Sequence, residues 1–190
     1  MKKTNFLLLI LTFNLAFTSD LFASRVSEET KTAPYTIGTE LDALPFATGG
    51  YYFSLIGGHD HFRLRGIASL VNPPDFAYPS DRFRNLSLHA YALIIDYFFK
   101  PEFEGFWVGV GLEKWLGTID SKVAINSGSF NESVSTLGSG YVWKFYKNFY
   151  LNPWVAIHLK VSGDSPNVGI DSYALPTLQG EGSFKIGWYF

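Results

Sequence analysis

Large apolar side chains recur at every second position over most of the chain beyond residue 35. Between Gly182 and Phe190, Phe184, Ile186, Trp188 and Phe190 alternate with Ser183, Lys185, Gly187 and Tyr189. Between 105 and 117, Phe106, Val108, Val110, Leu112 and Leu116 alternate with Trp107, Gly109, Gly111, Glu113 and Trp115. Between 149 and 161, Leu151, Val155, Ile157 and Leu159 oppose Tyr150, Asn152, Trp154, His158 and Lys160, and between 61 and 71, Phe62 and Leu64 oppose Arg63 and Arg65. A period of two sends successive side chains to opposite faces of a sheet. The pattern predicts strands over 35–43, 49–57, 61–71, 86–98, 105–117, 132–145, 149–161 and 179–190. The first is inferred partly because an even number of strands requires it.

Connections rich in Gly, Pro, Asn, Asp and Ser separate these strands, as turn chemistry demands. Short links fall at 57–60, 100–104 and 146–148, and long ones at 72–85, 118–131 and 162–178. Strict alternation of short and long links, with both chain ends on the short-link side, predicts an all-β fold: an eight-stranded antiparallel up-and-down transmembrane β-barrel. No segment beyond the N-terminal region has 18 consecutive apolar residues, so spanning by helices is not expected. A lipocalin-like soluble barrel would use the same alternation with its faces reversed, apolar inside and polar outside. Aromatic residues gather beside the short links: Phe98, Phe99, Phe103, Phe106 and Trp107 at one, Trp143, Phe145, Tyr146, Phe149 and Tyr150 at another, with Tyr189 and Phe190 level with them. An interfacial girdle has that arrangement. Lys114 and His89 fall on the face expected to meet lipid, which a snorkelling side chain or a local bulge accommodates.

The N-terminal region carries Lys2 and Lys3, an apolar run from Phe6 to about Phe17, and the small residue Ala23. That order is expected of a secretory signal peptide over 1–23, leaving 24–190 for one barrel domain. Aromatics make up 18% of the chain and charged residues 17%, below the roughly 25% charge of soluble domains. The formal net charge of −2 gives no reason to expect a nucleic-acid partner, and the absence of Cys excludes disulfides and thiolate metal sites.

The inward face predicts a balanced set of charges: Glu40, Asp42, Asp96, Glu113 and Glu181 against Arg63, Arg65, Lys144, Lys160 and Lys185. Eight strands leave a lumen only wide enough for side chains, and buried charges persist when paired. A lumen ion-pair network is therefore expected, Asp96 meeting Arg63 and Arg65 near the short links. Lys160, Glu181 and Glu113 are expected together at the other end. A narrow ion path is the functional alternative to a plug. Gly109, Gly111, Gly138 and Gly140 predict a side-chain-free patch, with Gly109 facing Gly140, Gly111 facing Gly138 and the Trp154 indole as its simplest occupant; a small ligand pocket is the alternative. His59 and His61 have chelating spacing but no visible third ligand, so neither metal nor cofactor is expected.

The closing strand, with outward Phe184, Ile186, Trp188 and Phe190, resembles that of bacterial outer-membrane barrels, whose terminal aromatic and alternating hydrophobics are read by the barrel-assembly machinery. As architecture the whole of 24–190 resembles the small OmpA, OmpX and OmpW type. The resemblance implies export to the outer membrane of a Gram-negative cell envelope, contact with outer-membrane lipid and lipopolysaccharide, and no enzymatic activity. It implies a structural or surface-interaction role through the outer loops, where Phe76, Tyr78, Phe83 and Tyr173 are expected to be exposed. The stretch from His158 to Ser162 (HLKVS) faintly resembles the His-x-Ser motif of outer-membrane lipid A deacylases, giving a lipid-modifying enzyme as the alternative. Its spacing places the hydroxyl roughly 13 Å from the imidazole along a strand, too far for an activated nucleophile.

Overall fold

The structure, a computed structural model, describes residues 35–77, 81–169 and 171–190. The expected leader over 1–23, residues 24–34 and Tyr78 lie outside the described residues. Eight long or medium strands form the ring: β1 (Thr36–Asp42), β2 (Tyr51–His59), β3 (Phe62–Val71), β4 (Phe83–Phe98), β5 (Gly105–Ser121), β6 (Ser127–Tyr146), β7 (Phe149–Gly163) and, after a two-stranded hairpin, β10 (Leu178–Tyr189). The hairpin pairs β8 (Asn167–Val168) with β9 (Asp171–Ser172). Each neighbour pair is antiparallel, and β10 closes the ring onto β1. The fold is an all-β, up-and-down eight-stranded barrel.

Parity decides the two surfaces. Leu55, Leu64, Leu93, Val110, Leu112, Ile157 and Phe184 are all exposed on the outer wall. Glu40, Asp42, Arg63, Arg65, Asp96 and Lys185 are buried inside it. This is the reverse of a lipocalin-like ring. Lys114 and His89 do face outward, and Lys114 Nζ donates to Ser133 Oγ at 3.2 Å. The register shift at that level lies between β6 and β7, beside Ser133 and Val134, so it leaves Lys114 on the outer face.

Three sequence expectations need correction. The 118–131 stretch is mostly strand: β5 and β6 run past the barrel wall and turn only over 122–126, where Ser121 Oγ accepts from the Val123 and Ala124 amides. On this projecting hairpin, hydrogen bonds from Ser127 and Asn85 hold the Asp120 carboxyl below its ordinary pKa. Second, Phe83 and Tyr173 are not a contact surface. Tyr173 is buried with Leu86, Trp115, Ile119, Phe130, Val168 and Leu175, and Phe83 packs against this group. The long connections thus carry their own apolar core, because a strand pair projecting beyond the ring has an inner face to cover. Phe76, Val123 and Ile125 remain exposed at the tips.

Third, the aromatics beside the short links divide between the surfaces. Phe99, Phe106, Trp143, Phe145, Tyr146, Phe149 and Phe190 face outward, with Phe149 stacked on Trp188 at 5.5 Å. Phe98, Phe103, Trp107, Tyr150 and Tyr189 instead form a buried core inside the ring. Adjacent residues point oppositely, so a cluster dense in sequence must feed both faces.

The connection after β1 was not foreseen as a helix. Asp42 ends the strand by capping α1 (Ala43–Ala47), its Oδ1 accepting from the Leu44 amide at 3.1 Å. Pro45 falls in the first turn, where a missing N–H costs no helical bond. As a result β1 pairs with β10 only from Gly38 to Asp42, opposite Lys185 to Tyr189. The 178–184 segment of β10 has β7 on one side and no strand on the other.

Candidate functional site

The lumen near the short turns is filled by a polar network inside an aromatic shell. Arg63 and Asp96 stand opposite each other in the β3–β4 register, and Arg63 Nε donates to Asp96 Oδ2 at 2.8 Å. Arg65 takes the same carboxylate through Nε and Nη2, at 2.7 and 2.8 Å. Glu40 Oε1 accepts from Arg63 Nη1 (3.2 Å), Tyr150 Oη (3.0 Å) and Asn152 Nδ2 (2.9 Å). Trp107 Nε1 donates to Asn152 Oδ1 at 2.9 Å. The Arg63 guanidinium lies over Phe98 and that of Arg65 over Trp107, at 4.7 and 4.9 Å. Two guanidiniums, two carboxylates and flat rings in contact give charge neutrality and planar stacking. The expected meeting of Asp96 with Arg63 and Arg65 is present.

The glycine patch exists but is filled from elsewhere. Gly109 faces Gly138, Gly140 faces Trp107 and Gly111 faces Thr136, two positions from the expected pairing. A Cβ on Gly140 would meet Trp107 at 2.8 Å and the Pro153 carbonyl at 2.7 Å. One on Gly109 would meet Asp96 Oδ1 at 2.2 Å. The indole of Trp107, not that of Trp154, occupies the space, because Trp107 comes from a neighbouring position in the same register. Trp154 instead donates through Nε1 to Asp42 Oδ2 at 2.9 Å.

Nearer the long connections the network is sparser. His158 lies between two carboxylates, Nε2 to Glu181 Oε2 at 3.2 Å and Nδ1 to Glu113 Oε1 at 3.4 Å. Thr136 Oγ1 also contacts His158 Nδ1, at 2.9 Å, and Trp115 Nε1 donates to Glu113 Oε2 at 2.7 Å. Glu113 and Glu181 therefore meet through His158 rather than through Lys160. Lys160 pairs instead with Glu132, a buried carboxylate at the margin of the stretch read as a loop. The parity of the expected 132–145 strand, with Gly138 inward, already points Glu132 inward. Lys144 lies at the rim near the short turns, donating to the Glu102 carbonyl at 2.6 Å.

Between these two regions is a cavity of about 270 Å³. Tyr52, Arg65, Ile94, Trp154, His158 and Lys185 are among the residues lining it. Of the candidate pocket residues, Gly138 and Trp154 line it, while Gly109, Gly111 and Gly140 do not. His59 and His61 bring no third ligand: no group of three or more His, Cys, Asp or Glu side chains suited to a metal occurs among the described residues. His61 Nδ1 contacts the Phe98 carbonyl at 2.6 Å.

The four closing-strand residues Phe184, Ile186, Trp188 and Phe190 all face outward. No protein-family model, curated protein or solved structure matches the chain.

Proposed function

We propose that this chain is a non-enzymatic outer-membrane barrel of the small eight-stranded type, exported with cleavage of its leader, that holds a plugged lumen and acts as a structural or surface-contact protein. The observation that carries the reading is the distribution of the two faces. A closed ring clad in exposed Leu, Ile, Val and Phe, with arginines and carboxylates inside, is what a bilayer requires. Lipid and lipopolysaccharide would cover that cladding, and outward Phe184, Ile186, Trp188 and Phe190 would be presented to the barrel-assembly machinery. The exposed tips Phe76, Val123 and Ile125 are the surface available to an outside partner. A lipid A deacylase role is not favoured, because His158 turns into the lumen between Glu113 and Glu181, whereas Ser162 is exposed past the register shift of β7.

Fractionation of expressing cells, with unheated and boiled envelope samples run on a gel, tests the address. Recovery in the outer membrane with a heat-dependent mobility shift is the expected outcome; a soluble protein without the shift overturns it. Planar-bilayer recording tests the plug. The wild type, Lys160→Ala and Glu181→Ala should all be silent, and a steady current altered by either substitution would make the lumen an ion path.

A further inference from the structure

The cavity between the two halves of the lumen has a chemical polarity that the plug does not use. At its floor is Lys185, 2% exposed, with no hydrogen bond or ion pair among the described residues. Its ammonium lies against ring faces, 3.7 Å from the Trp154 centroid and 4.9 Å from that of Tyr52, with Glu40, Asp42 and Glu181 acting on it through charge alone. The nearby carboxylates are turned elsewhere. Asp42, opposite Lys185 in the β1–β10 register, accepts from Leu44, Trp154 and Ser183. Glu40 accepts from Arg63, Tyr150 and Asn152.

Tyr52, whose Oη is buried without a hydrogen-bond partner, and Arg65, whose Nη1 pairs with Glu40 Oε2 at 3.6 Å, also line the cavity. Burying an ammonium without a hydrogen-bonded partner is costly, and its place in the cavity is complementary to an anionic acceptor. The walls above it are apolar: Ile67, Ala92, Ile94 and Ala156. Glu113 and Glu181 stand at the far end, already engaged by His158, so an anion is favoured only at the Lys185 end.

Trp115 and Leu88 belong both to the buried core of the long connections and to the lining, and the plug closes the floor. Beside α1, where β10 lacks a strand partner over 178–184, Leu44 and Gly180 line the cavity. Gly180 pairs with Ile157 of the apolar outer wall, so this interruption lies at the depth of that wall. The volume is at the lower edge of the roughly 300–1,000 Å³ usual for small-molecule sites, too small for a two-chain lipid.

We propose that the cavity is a binding site for a single-chain monocarboxylate drawn from the bilayer, its carboxylate held by Lys185 and its chain against Ile67, Ala92, Ile94 and Ala156. The site stands apart from the surface-contact reading and from the silence of the lumen; only its route depends on membrane placement. The test is titration of the full chain, folded in a maltoside detergent, with decanoate and with decanol, read by native mass spectrometry and by the carboxyl signal of ¹³C-labelled decanoate. The wild type should prefer decanoate by about tenfold or more, the scale of one charge-assisted hydrogen bond. Lys185→Met should erase the preference, and Ala92→Phe should abolish binding of both by filling the chain site. Equal binding of decanoate and decanol, no binding of decanoate, or a preference that survives Lys185→Met would overturn the proposal. Should Lys185→Met not fold, Ala92→Phe decides: retained decanoate binding places the ligand elsewhere and overturns it equally.

Discussion

The lumen beside the short turns and the lumen beside the long connections are built on the same strands, yet they solve burial differently. In the first, each carboxylate serves several donors and each guanidinium also lies on a ring, so polar and aromatic groups pack as one solid. In the second, His158, Glu113, Glu181, Lys160 and Glu132 form small separate groups, one of them partly open to solvent, with a cavity beneath. The difference follows from ring closure. Where β1 is present every strand has two neighbours and the wall presses side chains together; where α1 replaces it, the wall is incomplete and filling stops. A barrel can thus hold a rigid half and a hollow half without changing its strand count.

The comparison is broken most directly at Asp96. Asp96→Ala would leave Arg63 and Arg65 buried side by side without their shared carboxylate, and loss of one partner from a buried ion pair costs about 3–5 kcal/mol. Urea unfolding in lipid, followed by the heat-dependent gel shift, should show a loss of that size; a loss below about 1 kcal/mol would deny the plug its structural role. Gly140→Val forces a side chain into Trp107 and the Pro153 carbonyl, and overpacking of this kind costs about 1–3 kcal/mol in the same assay. In the hollow half, His158→Gln keeps a hydrogen-bonding side chain but removes the bridging group between Glu113 and Glu181, with an expected cost near 1 kcal/mol. An effect of His158→Gln as large as that of Asp96→Ala would erase the distinction between the halves. Lys122→Ala serves as the outside reference. Its 3.2 Å pair with Asp75 is largely exposed, and the change should stay within about 0.5 kcal/mol.

Much of this was legible in the residues themselves. Alternation divides most ring strands into two faces, and the terminal Phe190 with the aromatic clustering beside the short links selects the face carrying Leu55 to Phe184 as outer, with Arg63, Arg65, Asp96 and Lys185 inside. The meeting of Asp96 with both arginines was legible too, because β3 and β4 are joined by sequence neighbours and their register is local to that sheet pair. What failed was whatever depended on the exact register and length of neighbouring strands. Glu132 begins the expected 132–145 strand on the inward parity of Gly138 and Gly140, yet beside a polar stretch that reads as a loop but pairs as a hairpin it was left out of the inward charge set. Phe83 and Tyr173 looked like exposed loop aromatics until the projecting β5–β6 hairpin supplied a surface for them.

Sequence by itself determined which side chains share a face, since the pleat fixes that residue by residue with a period of two, and the aromatic clustering with terminal Phe190 pointed to the outer one. It did not determine which inward groups touch. Inward partners depend on the register between neighbouring strands, on the length of each, and on the stagger of the ring as a whole. That is why the choice of Trp107 over Trp154 for the glycine patch, the pairing of Lys160 with Glu132, and the unmatched ammonium of Lys185 belong to the tertiary structure. The last depends on Asp42 ending β1 to cap a helix, a single local event that turns the nearest carboxylate toward α1, Trp154 and Ser183 and leaves the wall open beside it.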